Sequence, residues 1–248
     1  MLLDNITNMY IEGNTVSSLY LNGSQIWTLG SSDTPSLLDG YTWAELRAMS
    51  AAGETGIFNF GEEKTVTFAD GKTARFCYIG NEADINGVQG MVFIQVNNFY
   101  SFQWNSSTST WRTYNAAGIS SSITSKFSGS DVALSARTVR KYFQNRSANT
   151  STTSSTYQFW LPAWKELFNS DKQSPDISNG VVYPYSQTSE FKEKLRKGLI
   201  EGETDLGSYF WLRDSDSTGY SYRGEYSGTY TFTNKWTESY PCLTVFCV

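Results

Sequence analysis

The residues best suited to chemistry lie together near the end of the chain, from Asp214 to Asn234. Of the 21 residues in this segment, 15 are Ser, Thr, Gly or Tyr. Tyr supplies a large, rigid and amphipathic contact area, and Ser and Gly supply adaptable hydrogen bonding, so the mixture is typical of binding loops. Apolar stretches at 208–213 and 242–248 predict core strands on either side. The composition therefore predicts a recognition surface held between two strands, without naming its ligand.

The aromatic residues of this segment share one parity, which in a strand places them on one face and the hydroxyl groups on the other. Such a face is either part of the core or a contact surface, and the sequence leaves both interpretations open. Turns at Gly219, Gly224 or Gly228 would break the parity and bring some of the rings to solvent. The aromatic set consists of Tyr220, Tyr222, Tyr226, Tyr230, Phe232 and Trp236.

Acidic residues in and beside the segment suggest two other chemistries. The spacing from Asp214 to Glu225 formally matches a calcium loop, with acids at the first and third positions, Gly at the sixth and Glu at the twelfth. Ser221 stands where such loops carry an apolar residue, and a strand precedes the segment, so we expect no metal. Paired carboxylates could also cleave a glycan. The candidate pairs are Asp214 with Asp216 and Glu225 with Glu238.

Composition excludes several classes of function. The 248 residues include no histidine, which removes Ser-His-Asp and Cys-His catalysis and His-ligated metals. The net charge of -5 offers no basic stripe for phosphates, so no nucleic-acid partner is expected. The three cysteines, Cys77, Cys242 and Cys247, are an odd count and are interpreted as reduced core residues. We therefore expect a protein that is not an enzyme and uses no cofactor.

The first residues, MLLDNITNMYIEGN, have neither the basic region nor the apolar region of a signal peptide, so no signal peptide is expected. No apolar run approaches the ~18 residues that a membrane span needs, so no membrane insertion is expected. A recognition protein without an export signal fits a virus particle, which assembles in the cytoplasm and leaves by lysis.

Two β-hairpins are predicted within residues 1–30, because Tyr10–Asn14 is echoed ten residues later by Tyr20–Ser24, each with a central Gly. Two hairpins alone bury little surface. This segment is expected either to serve in assembly or attachment, or to extend the main domain as β-structure. Residues 31–36 are the predicted linker, and residues 37–248 the main domain.

The main domain is predicted to be α+β, with a few short helices and mostly antiparallel strands. A capping box formed by Thr42 and Glu45 begins a helix that ends at Gly53. A hairpin that turns at Asp70-Gly71 follows, and Met91–Val96 is predicted to be a strand buried on both faces.

Further along, 115–130 and 147–156 are rich in Ser, Thr, Gly and Asn and are predicted to be loops. Between them, 135–145 is predicted to be a short helix. Pro162 is expected to be the first residue of another helix. The last helix is expected to be capped by Ser189 and to end at Gly198, with Glu190/Lys194 and Glu193/Lys197 pairs.

Four stretches of the chain together resemble an uncharacterised domain family of gut bacteria and their phages. They are TWAELRAMSAAG, the hairpin with its DGK turn, TYQFWLPAWKELF, and YFWLR followed by a polar segment and PCLTVFCV. Members of that family carry a WLRS motif, a variable segment and a closing strand like R-P-A-F. The family is similar to the C-type-lectin-like fold of formylglycine-generating enzymes and of the variable proteins of diversity-generating retroelements, such as phage tropism determinants.

The resemblance covers residues 37–248 and implies a C-type-lectin-like fold with a C-terminal ligand surface. Two positions depart from the family pattern: Asp214 stands where Ser is usual, and Pro241-Cys242-Leu243 where Arg-Pro-Ala is usual. Trp211 is expected in the core, and Arg213 as a paired scaffold residue. The residues expected to bind ligand are Asp214, Asp216, Tyr220, Tyr222, Arg223, Tyr226, Tyr230, Asn234 and Trp236.

These observations predict a ligand-binding or receptor-binding protein of a phage or prophage tail, with a segment that a retroelement could diversify. Its expected partners are a bacterial surface protein or glycan and other tail subunits, and homo-oligomers are compatible with this role. One alternative is a structural tail or baseplate subunit that uses the Tyr-rich face for assembly. A further alternative is a glycan depolymerase.

Overall fold

Two units make up the chain in the computed structural model, Met1–Ser36 and Leu37–Val248. The strands of the first unit are described by their backbone, and so are residues 143–144, 152–153, 200–201, 214–215, 221–225 and 230–233. The described residues are 10–11, 14–15, 18–21, 24–28, 36–105, 114, 117–144, 152–168, 182–201, 209–215, 221–225, 230–233 and 237–248.

The first unit contains the two predicted hairpins, which confirms that part of the prediction. In the first hairpin Ile11 pairs with Asn14, and in the second Leu21 pairs with Ser24, so the registers follow the offset of ten. The predicted turns and nearly all of the predicted linker lie outside the described residues. The strands are β1 (Tyr10–Ile11), β2 (Asn14–Thr15), β3 (Ser18–Leu21) and β4 (Ser24–Thr28).

The second unit mixes short helices with strands. Its helices are α1 (Trp43–Ala52), α2 (Gly118–Phe127), α3 (Trp164–Phe168) and α4 (Ser189–Glu201). Its strands are β5 (Glu63–Thr67), β6 (Thr73–Ala83), β7 (Gln89–Gln95), β8 (Tyr100–Gln103), β9 (Val139–Gln144), β10 (Thr152–Tyr157), β11 (Phe159–Trp160), β12 (Tyr209–Ser215), β13 (Ser221–Glu225), β14 (Tyr230–Thr233), β15 (Ser239–Cys242) and β16 (Val245–Cys247).

Two five-stranded sheets form the framework of this unit, in the orders β11-β16-β7-β6-β5 and β14-β13-β12-β15-β8. Strands β9 and β10 form a separate antiparallel pair. Neighbouring strands in the two sheets are antiparallel except for β12 and β15, which are parallel and meet where Trp211 pairs with Cys242. The unit is therefore α+β, as the sequence predicts.

One part of the core lies between α1 and the first sheet. Trp43 of α1 packs edge-on against Phe93 of β7 and Phe246 of β16, with ring centroids 5.2 and 5.3 Å away. The predicted capping box fixes the start of α1, because Glu45 N donates to Thr42 Oγ1 at 3.2 Å and Thr42 N donates to Glu45 Oε2 at 2.7 Å. The predicted end of the helix at Gly53 is also confirmed.

The loop predicted for 115–130 is wrong, because α2 lies there. Ile119, Ile123 and Phe127 are four residues apart and all buried, which is the spacing of one helix face. The helix predicted for 135–145 is also wrong, because β9 occupies most of that range. Buried Val139 and Lys141 flank exposed Arg140, which is the alternation of a strand.

Three other predictions need correction. The loop predicted for 147–156 contains most of β10, which pairs with β9 along its whole length. Helix α3 begins at Trp164 instead of Pro162. Helix α4 continues past Gly198 to Glu201.

The charged residues of α4 form ion pairs other than the predicted ones. Lys194 Nζ contacts Glu63 of β5 at 2.5 Å, and Arg196 pairs with Glu193 at 2.5 Å. Lys194 therefore ties the helix to the first sheet instead of bonding along the helix to Glu190.

Candidate functional site

The predicted recognition segment forms one side of the second sheet, where β12 leads into β13 and β14. Asp214 lies in β12, Tyr222 and Arg223 lie in β13, and Tyr230 lies in β14. Tyr222 pairs with Phe232 and Gly224 with Tyr230, so β13 and β14 form a regular antiparallel hairpin. The remaining predicted ligand-binding residues lie outside the described residues, namely Asp216, Tyr220, Tyr226, Asn234 and Trp236.

A bulge interrupts the pairing of β12 with β13. Trp211 pairs with Arg223 and Ser215 with Ser221, so three residues of β12 face the single residue Tyr222 of β13. A bulge of this kind bends a strand and increases its twist, and bulges are common beside functional sites. The bulge therefore lies just before the end of β12, beside the start of β13.

The strand register also bears on the calcium spacing. Glu225 pairs with Tyr209, five residues before Asp214 along β12. The two ends of the calcium spacing therefore lie at different levels of the sheet. The described residues contain no group of three or more His, Cys, Asp or Glu arranged for a metal.

The second candidate carboxylate pair, Glu225 and Glu238, is divided between the two neighbours of β12 in the sheet. Glu225 ends β13, and Glu238 directly precedes β15. The carboxylate of Glu238 accepts a hydrogen bond from the hydroxyl of Tyr240 two residues later. Of the other pair, Asp214 lies near the end of β12, and Asp216 lies outside the described residues.

Trp211, which the sequence places in the core, fixes β12 on the side away from β13. Its side chain is fully buried, and its indole Nε1 donates to the carbonyl of Phe102 in β8 at 2.9 Å. The ring of Tyr240 meets it edge-on at 4.9 Å, and the ring of Trp104 lies 5.5 Å away. The strand that carries the recognition segment is therefore rigidly held at its centre.

Arg213, expected to be a paired scaffold residue, forms a two-pronged ion pair with Glu166 of α3. Nη2 contacts Oε1 at 2.9 Å and Nη1 contacts Oε2 at 3.2 Å. Both side chains are 1% exposed. Glu166 Oε2 also accepts from Ala163 N at 2.8 Å, so the same carboxylate caps the first turn of α3.

Lys141 of β9 extends this pair into a network of four charged side chains. Its Nζ contacts Glu166 Oε1 at 3.1 Å and Glu82 Oε2 of β6 at 2.5 Å. The hydroxyl of Tyr183 donates to Glu82 Oε2 at 2.6 Å. The ring of Trp160 covers Nζ at 4.4 Å.

The positive and negative charges of this network are equal in number, because two cations face two anions largely away from water. Burial on its own would raise the pKa of Glu166, but attraction to Arg213 and Lys141 outweighs it and the pKa is lowered. Burial and the charges of Glu166 and Glu82 raise the pKa of Tyr183 well above its usual value, so this phenol stays protonated. Glu166 is therefore held as a paired carboxylate inside the protein, which suits a scaffold role.

Sequence reasoning identifies Arg213 but misses the other members of the network, Glu82, Lys141, Glu166 and Tyr183. Two signals were available. A lysine alternates with apolar residues in VRKYF, and a glutamate lies inside the apolar run PAWKELF. An ionisable residue at a core position implies a partner of opposite charge, although nothing in the sequence shows which one.

The three cysteines lie in different strands, Cys77 in β6, Cys242 in β15 and Cys247 in β16. All three are free and buried, as predicted. Burial raises the pKa of the Cys247 thiol to about 12 and those of the other two thiols further. Thiols in this state are poor nucleophiles and poor metal ligands.

Comparison of the chain with protein-family models, with curated proteins and with solved structures found no match. Within the described residues, no helix has the length and apolar character needed to cross a membrane. What the chain does must therefore be inferred from its own residues and their arrangement.

Proposed function

We propose that this protein is a non-enzymatic binding protein that recognises its ligand through the Tyr/Ser/Gly-rich segment from Asp214 to Asn234. The observation that carries the proposal is the placement of this segment. It follows β12, whose residues Trp211, Leu212 and Arg213 are fully buried, and it returns as the hairpin of β13 and β14 at one side of a sheet. A rigid framework that presents a tyrosine-rich hairpin is the usual design of a recognition surface.

The fold proposed for residues 37–248 is C-type-lectin-like. The support comes from the resemblance of the YFWLR and PCLTVFCV stretches to the family described above, and from the α+β architecture in which both stretches are buried. On the same grounds the proposed setting is a phage or prophage tail. The proposed ligand is a bacterial surface protein or glycan.

The proposal is tested by binding of the purified protein to a glycan array and to candidate host cells. The variant Tyr222→Ala/Tyr226→Ala/Tyr230→Ala removes three rings of the segment. We expect it to bind at least about 30-fold more weakly, because tyrosines at the centre of an interface commonly contribute about 2 kcal/mol each or more. Circular dichroism and thermal unfolding check that the variant is folded.

Tyr100→Ala is the matched control. It removes a partly exposed tyrosine from β8, the strand at the opposite end of the same sheet. We expect this control to bind like the unmodified protein. Equal loss of binding in both variants, or binding that survives the triple substitution, would refute the proposal. Unfolding of the triple variant alone would show that the rings belong to the core.

A second candidate function is assembly with a neighbouring subunit. Strand β14 is the last strand of its sheet, and within the described residues its ladder continues on one side only, to β13. An unpaired strand edge is a natural place for another chain to add. Light scattering distinguishes the two functions. If the face serves in assembly, the protein self-associates and the triple Tyr variant becomes monomeric.

A further inference from the structure

Strand β12 changes its partners at Arg213. Up to Trp211 the strand pairs with β13 on one side and with Cys242 of β15 on the other. Two residues later, the N–H of Arg213 donates to the carbonyl of Pro162 at 2.9 Å. At Arg213, between its two stretches of pairing with β13, β12 is therefore tied to the segment before α3.

The guanidinium of Arg213 also bonds to elements outside the sheet that contains β12. Nε donates to the carbonyl of Tyr142 in β9 at 2.9 Å, and Nη1 donates to the carbonyl of Leu161 at 2.5 Å. The remaining contacts are those to Glu166. One buried side chain thus joins β12 to β9, to the connection after β11 and to α3.

Arg213 is also the middle residue of the three that face Tyr222 across the bulge. A bulge leaves ladder groups unpaired, so it needs other partners if it is to keep one geometry. The Pro162 carbonyl supplies one such partner, for the N–H of Arg213, and the four side-chain contacts of Arg213 anchor the bulge at this point. Lysine could not reproduce them, because it lacks the planar fork that binds a carboxylate and two carbonyls together.

We infer that Arg213 is the positioning residue of the recognition hairpin: it holds the bulge in β12 and so fixes where β13 and β14 lie. It does so from inside the protein, with 1% of its side chain exposed, and without touching a ligand. The effect of Arg213 on the position of β13 and β14 does not depend on the function proposed above. Its effect on ligand binding rests on that function.

The experiment is hydrogen–deuterium exchange of the full chain carrying Arg213→Lys. We expect amides of β13 and β14 to exchange about tenfold faster or more, because local opening of the hairpin becomes easier, while β6 and β7 keep their rates. Glu166→Gln serves if Arg213→Lys does not fold. Its lower global stability should speed exchange in all strands, and the amides of β13 and β14 should be accelerated by a larger factor than those of β6 and β7.

Lys141→Met is the control for general destabilisation, because Lys141 belongs to the same network but lies in β9. It should lower the unfolding midpoint without a selective change in β13 and β14. Uniform acceleration in all strands of the Arg213→Lys protein, or no acceleration in the hairpin, would overturn the inference. Selective acceleration with unchanged ligand binding would support the inference and refute the proposed binding surface instead.

Discussion

Helix α4 meets the end of β7 at Gly198, where an added Cβ would lie 1.8 Å from the carbonyl oxygen of Val96. Gly198 is buried inside the helix, and the ring of Phe99 lies on the same side at 3.2 Å. The two nearest atoms belong to the backbone of Val96 and cannot rotate aside. Glycine is therefore needed here for its missing volume, since its backbone is that of an ordinary helix.

Gly198→Ala should lower the free energy of unfolding by about 3 kcal/mol, because the helix must move away from β7 to avoid overlap. Gly118→Ala is the matched control, since Gly118 also lies in a helix and has no heavy atom within 4 Å of its added Cβ. This control should be neutral or stabilise by up to about 1 kcal/mol. Urea unfolding measures both, and equal midpoints for the two variants would contradict the close contact.

Glu166→Gln should cost about 3 kcal/mol near neutral pH, because it leaves the buried cations Arg213 and Lys141 with one anion fewer. The folded state lowers the pKa of Glu166, so the contribution of its charge is complete above the unfolded pKa of about 4.3. The contribution is lost as the pH falls below that value towards the lowered pKa.

Urea unfolding of both proteins between pH 3 and pH 7 checks this expectation. The difference in stability should stay constant from about pH 7 to pH 5 and shrink below about pH 4, as the carboxyl of the unmodified protein takes up a proton. A difference that grows in acid would show that Glu166 is not held as an anion.

The elements that sequence patterns predict correctly are those whose signals are local. The capping box of Thr42 and Glu45, the turn at Asp70-Gly71 and the all-apolar strand β7 each carry their cause within a few residues. The same holds for the hairpins of the first unit, whose register follows the repeated motif. In these cases the side chains that decide the structure are neighbours along the chain.

The elements that were missed depend on contacts between distant residues. Helix α2 looks like a loop because Ser121, Ser122 and Thr124 are polar, but these hydroxyls donate back to carbonyls of their own helix. The apolar face of α2 then packs against aromatic residues elsewhere, as Phe127 stacks on Phe159 at 4.6 Å. Burial of that face outweighs the weak helix preference of its hydroxyl residues.

The candidate site divides in the same way. Composition alone marks the recognition segment, and the family resemblance marks Arg213. The charge network could not be predicted, because Glu82, Lys141 and Glu166 are separated by 59 and 25 positions along the chain. Only the fold brings a strand of the first sheet, the β9–β10 pair and α3 to one point.

The N-cap of α4 lies one residue earlier than the sequence predicts, and this difference can be tested. The sequence predicts Ser189 as the cap, but Thr188 Oγ1 accepts the N–H of Phe191 at 3.1 Å. Thr188→Ala should therefore cost about 1 kcal/mol, whereas Ser189→Ala should change stability very little. Thermal unfolding of the two variants measures this, and a larger loss for Ser189→Ala would restore the sequence-based assignment.

Thiol labelling tests the buried state of the cysteines and the absence of cysteine chemistry at the same time. Cys77, Cys242 and Cys247 are each fully buried, and burial raises the pKa of each thiol, so almost no thiolate is present at neutral pH. We expect a thiol reagent to label none of them in the folded protein and all three in urea. Rapid labelling of Cys242 and Cys247 in the folded protein would contradict their place in the core and reopen a metal or redox role for them. Slow labelling of all three at one common rate would instead report global unfolding, and that rate should rise in the Gly198→Ala protein.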